Sequence, residues 1–423
     1  MLTREENELL CQVGAGTPMG TMLRRYWIPA ALTGELEAGG APRRTRLLGE
    51  DLVAFRAADG TVGVLEEHCP HRGASLALAR NVDCTLQCIY HGWKVAPDGR
   101  VLDTPAEPEG SNFAAKVRAR SFPVYEAGGI VWTYLGPPEN EPPQMHFDWM
   151  SRPAEHRMIQ KVYEECNWVQ SLEGVIDTAH SNFLHSNLIK PVAGLDVTTM
   201  APGQGETRRP SDDTSPRIEA ETTPYGFRYA AIRHPLIDPE LRDYVRVTLF
   251  IAPFYSFFPG PMGWTYMQAF VPIDDEHTMF HFVQVQHDAP VDAAARKRRE
   301  ERAAMRPGID LDSEYHKSRR RANNWLQDRA AMLAGNFTGI EGVNNEDIAV
   351  QESMGAIYDR TKEHLGASDT AVIRMRRIML DGVRHFMDGA PPVGLAEPVA
   401  YETLHAEERM VPKGESWQAF ALA

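Results

Sequence analysis

The chain has 423 residues, 43% of them hydrophobic, with 44 Lys and Arg against 58 Asp and Glu and a net charge of −14. Its length passes the roughly 250–300 residues at which a single core stops growing, so two domains are expected. The acidic balance excludes a nucleic-acid-binding surface, which needs a basic footprint.

The N-terminus, Met1-Leu2-Thr3-Arg4-Glu5-Glu6-Asn7-Glu8, is acidic and lacks the charged-then-apolar pattern of a secretory signal. Residues 1–26 are expected to form an N-terminal helical segment. Residues 27–136 read as mostly strand, through Leu47-Leu48, Leu52-Val53-Ala54-Phe55, a turn at Asp59-Gly60, residues 62–65 and residues 129–135. Pro137-Pro138-Glu139-Asn140-Glu141-Pro142-Pro143 then breaks regular structure, which places a domain boundary near residue 140.

Inside this β region lie Cys69-Pro70-His71-Arg72-Gly73 and Cys88-Ile89-Tyr90-His91-Gly92-Trp93. Two loops each deliver one thiolate and one imidazole, the ligand set of a Rieske [2Fe–2S] cluster, in which two His replace two Cys on one iron. Structural zinc also takes four Cys/His ligands, but zinc fingers pair Cys with Cys and His with His, whereas each loop here mixes the two. Gly73 and Gly92 allow backbone amides to approach the cluster, Tyr90 offers a hydroxyl, and Trp93 offers a shield from water. Cys84 has no His at matching spacing and reads as a small buried hydrophobe. With Cys11 and Cys166 it remains a free thiol, as in a reducing cytoplasm.

Beyond residue 140 the segment from Asn167 to His185 contains Asp177-x-x-His180-x-x-x-x-His185. Two imidazoles and a distant carboxylate form the facial triad that holds non-haem Fe(II) with positions open for O₂. On a straight helix His180 and His185 would sit about 140° apart, so a π-bulge or helix break is expected between them. Residues 202–216, rich in Gly, Ser, Asp and Arg, read as a mobile loop. The alternation of Val245, Val247 and Leu249, and of Val283 and Val285, with polar neighbours reads as half-buried strand. The most apolar stretch, residues 247–258, is too short for the about 20 residues of a membrane helix and contains Pro253, so no membrane association is expected. Residues 293–305 read as a solvated helix. Ser368 or Asp369 is expected to cap a helix with Val372, Met375 and Met379 on its buried face.

Both metal motifs, together with Asn345-Glu346-Asp347-Ile348-Ala349-Val350-Gln351-Glu352 and Gly16-Thr17-Pro18-Met19-Gly20, make the chain resemble the Rieske non-haem iron aromatic-ring oxygenases, catalytic α-subunit type, and within them the phthalate dioxygenase-like subgroup. The resemblance implies an α+β protein: an all-β Rieske domain at 27–140, then a catalytic domain at 141–423 with an antiparallel sheet surrounded by helices. It implies that Cys69 and Cys88 hold one cluster iron and His71 and His91 the other. His180, His185 and Asp347 would hold the mononuclear Fe(II), with Glu346 and Glu352 as nearby carboxylates that spacing does not exclude. Asp177 would be the bridging carboxylate to a cluster His of a neighbouring subunit, and Asn167 would stand near the iron, although its residue type also suits a helix cap.

The implied activity is oxygenation of an aromatic substrate, an aromatic acid, by ring dihydroxylation, using O₂ and electrons that pass from NAD(P)H through a separate reductase or ferredoxin. O-demethylation of a methoxylated acid uses the same centre. The implied assembly is a homotrimer or stacked trimers. Arg208, Arg209, Arg228 and Arg233 are candidates for a carboxylate partner. A Rieske electron carrier without oxygenase chemistry is the rival from another class; it leaves Asp177, His180 and His185 without a role.

Overall fold

A computed structural model describes residues 1–195, 207–260 and 263–419. The chain divides into two compact units, Val13–His146 and a second unit built from Met1–Gln12 and Phe147–Ala423. The expected segment 1–26 is thus divided, its first helix going with the catalytic part, and the expected boundary at 140 lies against a division after His146. That helix, Arg4–Cys11, starts at a capping box in which Thr3 and Glu6 satisfy each other's backbone amides. Its Asn7 donates to the Tyr358 carbonyl at 3.1 Å and accepts from Arg360 Nη1 at 3.1 Å.

The unit from Val13 to His146 contains three antiparallel sheets. One runs Arg43–Leu47, Glu50–Arg56, Val62–Glu66 and Ser121–Phe122, with Val53 opposite Leu65. A second carries Arg80–Val82, Thr85–Gln87, Lys94–Val95 and Val101–Asp103. The third places Ile130–Tyr134, buried along its whole length, between Trp27–Leu32 and Val124–Ala127. Phe55, Leu65, Leu76, Leu86 and Trp93 form a core that also takes in Cys69 and Cys88. Burial of this apolar surface anchors both cysteine loops. Cys84 packs on the edge of the same core and is not fully buried.

In the second unit an eight-stranded antiparallel sheet runs in the order Arg157–Glu164, Thr278–Gln286, Trp264–Pro272, Tyr255–Pro259, Arg242–Ile251, Gly226–Arg233 and Arg217–Thr223, and Glu407–Pro412 pairs with the first part of Arg242–Ile251. The alternating strands are present, but their polar residues do not face bulk water. Arg246 and Thr248, and Gln284 and Gln286, line a cavity of about 980 Å³. Period-two side-chain direction thus makes one face of the sheet a cavity wall.

The helix Trp168–Ile176 packs on Trp264–Pro272, and Thr370–Met387 packs on Gly226–Arg233. Val372, Met375 and Met379 form the buried face of that last helix, as its spacing predicts. Asp369 is its N-cap residue, but its carboxylate accepts from Gly366 N at 2.6 Å instead of from the helix. The helix Ala293–Ala303 is capped by Asp292, and Arg298, Arg299 and Arg302 on it line the cavity, so it is not purely a solvated helix. Of the segment read as a mobile loop, residues 202–206 lie outside the described residues, while Thr207–Arg209 pairs in parallel with Ile189–Pro191. The helix Val343–Ser353 begins at Gly342, whose φ of 94° and proximity to the Ala303 carbonyl (2.5 Å from where a Cβ would stand) leave room only for glycine.

A buried ion network joins the helices Trp168–Ile176 and Thr370–Met387 to the loop that carries Arg360 and Glu363. Glu173 accepts from Arg360 Nε at 2.8 Å and Nη2 at 2.9 Å, and from Arg376 Nε at 2.5 Å, while Arg376 also bonds Glu363. Burial alone would raise the Glu173 carboxyl, but the two guanidiniums outweigh it and hold it below the usual carboxylate range. Removing one partner of such a network strands buried charge, at about 3–5 kcal/mol. Glu173→Ala is therefore expected to lower the unfolding free energy of the catalytic unit, measured by urea titration, by that amount at neutral pH. Because the folded value is depressed, the contribution exists above the carboxylate range and fades as pH falls through it, so variant and parent converge in acid. A neutral-pH loss below about 1 kcal/mol contradicts this account.

Candidate iron centres

The two cysteine loops repeat one hydrogen-bond pattern. Cys69 N donates to the Ala74 carbonyl at 2.8 Å and Gly73 N returns to Cys69 O at 2.9 Å; Cys88 N donates to Trp93 O at 2.8 Å and Gly92 N returns to Cys88 O at 2.9 Å. Gly73 and Gly92 close these turns with φ of 73° and 76°, a region that favours glycine. The turns bring the His71 and His91 rings to 4.5 Å between centroids. Trp93, 2% exposed, stacks on His71 at 4.6 Å, and the exposed Tyr90 ring lies 3.9 Å from His91.

Burial pushes the Cys69 thiol up to about 11, and the adjacent Cys88 adds to the shift. Two neighbouring thiols in an apolar core are poor anions by themselves and good ligands once a metal compensates their charge. His91 Nδ1 is buried without a hydrogen-bond partner among the described residues. Burial, with His71 and Arg72 nearby, lowers its pKa and keeps the ring neutral. The two thiols and two imidazoles, one with an orphaned ring nitrogen, fit a [2Fe–2S] cluster of the Rieske kind.

The second constellation sits where the Trp168–Ile176 helix stops. Asp177 leaves the helix with an extended backbone, and its Oδ1 accepts from Ala179 N at 2.7 Å. A 3₁₀ turn at His180–Asn182 follows. The break expected between the two histidines therefore falls before both of them. Tyr229 donates to the Ile176 carbonyl at 2.7 Å and Arg233 to the Thr178 carbonyl at 2.9 Å, so the sheet pins the turn.

This geometry brings His180, His185 and Asp347 together, with one ligand atom from each within 4.8 Å of the others. Asp347 Oδ1 stands 3.4 Å from His180 Nε2 and 3.1 Å from His185 Nε2. The opposite ring nitrogens are also engaged: His180 Nδ1 lies 3.5 Å from Asp177 Oδ2, and His185 Nδ1 lies 2.7 Å from Glu346 Oε2. Burial opposes charge on His185, but Asp347 and Glu346 outweigh it and lift the imidazole to about 9. Two imidazoles and a carboxylate, each imidazole backed by a second carboxylate, are a donor set that suits non-haem Fe(II).

The three carboxylates of the Val343–Ser353 helix separate by contact. Glu346 backs His185 and accepts from Thr338 Oγ1 at 2.6 Å. Glu352 is committed to Lys317 at 2.7 Å, Trp325 Nε1 at 2.7 Å and Glu165 N at 2.9 Å. Asp347 alone of the three faces both Nε2 atoms. The positioning role of Glu346 goes beyond the sequence reading, which has it as a rival ligand; its place directly before Asp347 was the available signal.

Asn167 departs from its expected place near the iron. Its Oδ1 caps the helix at Val169 N (3.1 Å), and its Nδ2 donates to Cys11 O at 3.0 Å and Asp275 O at 2.6 Å. All its polar capacity goes to backbone groups, and it does not line the cavity. Of the candidate arginines, Arg208 and Arg209 line the cavity. Arg228 turns to Glu221 and the Trp417 ring. Arg233 lies behind the wall, and Arg246, which the sequence reading did not single out, lines the cavity beside Glu408.

Comparison with known proteins agrees with both constellations. Residues 26–123 match the Rieske [2Fe-2S] domain family, and residues 133–423 match the family described as "LigXa C-terminal domain like". The phthalate 4,5-dioxygenase oxygenase subunit of Pseudomonas putida is 42% identical, over 99% of this chain and 95% of that protein. The 5,5'-dehydrodivanillate O-demethylase oxygenase subunit of Sphingobium sp. is 31% identical, over 93% of this chain and 83% of that protein. In fold, the crystal structure of dicamba monooxygenase bound to dicamba superposes with a TM-score of 0.57 at 20% identity, over 87% of this chain and 99% of that one. An electron carrier would need only the first of the two matched domains, and the similarity runs through both: the chain belongs to the Rieske non-haem iron oxygenases, as an oxygenase subunit of the phthalate dioxygenase-like subgroup.

Proposed function

We propose that the cavity takes an aromatic carboxylic acid and that the reaction is dihydroxylation of its ring. The observation that carries this reading is a buried excess of positive charge beside the triad. Arg246 lies close enough to depress both Arg209 and Arg233, and Glu408 is the carboxylate bonded to Arg246, at 2.8 Å. Burial, then the neighbouring Arg246, pulls Arg209 down to about 9. Its Nη1 bonds Ser181 Oγ at 3.0 Å and Asn182 Oδ1 at 2.5 Å, while its Nε has no partner among the described residues. A guanidinium with a spare buried donor is matched by a ligand carboxylate, which supplies both the charge and the acceptors. Phe258, Phe270, Phe280 and Phe282 line the same cavity and suit the ring.

In this reading Cys69, His71, Cys88 and His91 hold the cluster, and His180, His185 and Asp347 hold the iron. The cluster supplies single electrons and the iron activates O₂. The rest is done by side chains. Arg209 and Arg246 fix the acid, the phenylalanines exclude water, and Glu346 and Asp177 hold the two imidazoles in the orientation that leaves Nε2 toward the metal. A separate reductase or ferredoxin supplies the electrons, and Asp177 meets a cluster histidine of the neighbouring subunit in a head-to-tail trimer. No helix among the described residues is long and apolar enough to cross a membrane, and the cysteines form no disulfide, which supports a cytoplasmic setting. The similarity to an O-demethylase subunit favours a second reading, removal of a methyl group from a methoxylated acid.

Turnover of phthalate-type acids against methoxybenzoates, with products identified, tests the choice: a cis-diol supports the first reading, formaldehyde the second, and no turnover of any acid overturns both. Arg209→Gln is expected to raise KM for the acid about ten- to a hundredfold with iron content intact, the loss of one charge-assisted pair. Iron analysis of the parent is expected to give about three Fe per chain. His180→Ala should lose one of them and keep the cluster absorption. Asp177→Ala should keep all three and lose nearly all product formation; normal turnover removes the bridge from this account.

A further inference from the structure

One acidic group in the cavity has no part in the scheme above. Glu164 ends the edge strand Arg157–Glu164, is 1% exposed, and lines the cavity that contains His180, His185 and Asp347. Its Oε2 accepts from Ser171 Oγ. Its Oε1 is buried with no partner among the described residues. In the same cavity wall Gln351 Oε1 is also buried and unpartnered. A buried acceptor with no donor is costly unless its own group carries a hydrogen, and a carboxylic acid does where a carboxylate does not.

Burial favours the same form and outweighs the hydrogen bond from Ser171, which favours the anion. Lys317 would favour the anion, but its Nζ is already bonded to Glu352 Oε1 at 2.7 Å and to Tyr163 O at 2.8 Å. Glu352 and Asp347 repel a further negative charge, and burial, the largest influence, pushes Glu164 up to about 8. Cys166, which touches Ser171 Oγ at 3.5 Å, is itself raised by burial and stays a neutral thiol. Burial thus favours the neutral acid at Glu164, and the unpartnered Oε1 is the oxygen free to carry its hydrogen.

We propose that Glu164 is a proton donor for the oxygen chemistry carried out in this cavity. Cis-dihydroxylation consumes the arene, O₂, two electrons and two protons: the O–O bond breaks, two C–O bonds form, and each oxygen ends as a hydroxyl. O-demethylation has the same demand, ending in a phenol, formaldehyde and water. The reductase supplies electrons to either reaction, and both protons come in the end from bulk water, one of them relayed by this chain. Glu164 gives one and regains it from bulk water by way of the cavity. The inference rests on the oxygenase reading of the cavity and is independent of which acid is the substrate.

Infrared spectroscopy of the metal-free protein and turnover of the holoenzyme test it together. The metal-free parent at pH 7 should show a protonated-carboxyl stretch that titrates near pH 8 and is missing in Glu164→Gln. The holoenzyme variant should keep its iron and its substrate affinity while product formation falls about 10²-fold, in the range of general-acid contributions. Its hydrogen peroxide yield per O₂ consumed should change. If Glu164→Gln does not fold, Glu164→Asp and titration of the parent band carry the test. Absence of the band in the parent overturns the proposal whatever the substrate proves to be, and so does a Glu164→Gln enzyme that turns over at the parent rate. If no aromatic acid is turned over by the parent, the substrate reading fails, and the band alone then decides for or against Glu164.

Discussion

Three carboxylates crowd two imidazoles, and the rest of the catalytic unit follows from how that crowding is arranged. Asp177 and Glu346 take the Nδ1 sides of His180 and His185, and Asp347 stands between the two Nε2 atoms. So much negative charge in a partly buried space is unfavourable by itself and favourable around a divalent cation. Adjacent residues on a helix point about 100° apart, which lets Glu346 and Asp347 address different rings from neighbouring positions. The histidines, for their part, must leave the helical path. The break after Ile176, held by Tyr229 and Arg233 from the sheet, provides that freedom.

Charge is distributed in the opposite sense elsewhere. The chain as a whole carries −14, yet the cavity beside the triad concentrates arginines. The overall balance describes the surface and correctly set aside nucleic acid, but it is silent on what the interior binds. Low dielectric makes the few interior charges worth more than many exposed ones.

The legibility of each part tracks how local its determinants are. The cluster loops were readable because all four ligands lie within two short segments whose glycines close matching turns. The strands at Glu50–Arg56, Val62–Glu66 and Ile130–Tyr134 were readable from alternation and turn residues. Asp347 could not be separated from Glu346 and Glu352 by spacing, since all three share one helix and only the partners across space distinguish them. Asn167 was drawn toward the iron by resemblance, although its residue type already fitted the cap it forms. Arg246 hid in a strand pattern whose polar positions look like a solvent face and instead face the cavity. The N-terminal helix was set apart as a segment of its own, whereas its partners, Tyr358 and Arg360, lie some 350 positions on.

That last pairing sets an order of events for a nascent chain. The first helix leaves the ribosome long before Arg360 and Arg376 do, and the whole cluster-bearing unit can fold in between. The catalytic body must then take in a piece of polypeptide made some 350 positions earlier, a long-range closure that is slow by nature because so much chain separates the two sides. Until Arg360 has been made, its bonds to Asn7 and Cys11 cannot form, and of these partners only Asn167 is there to meet the Cys11 carbonyl.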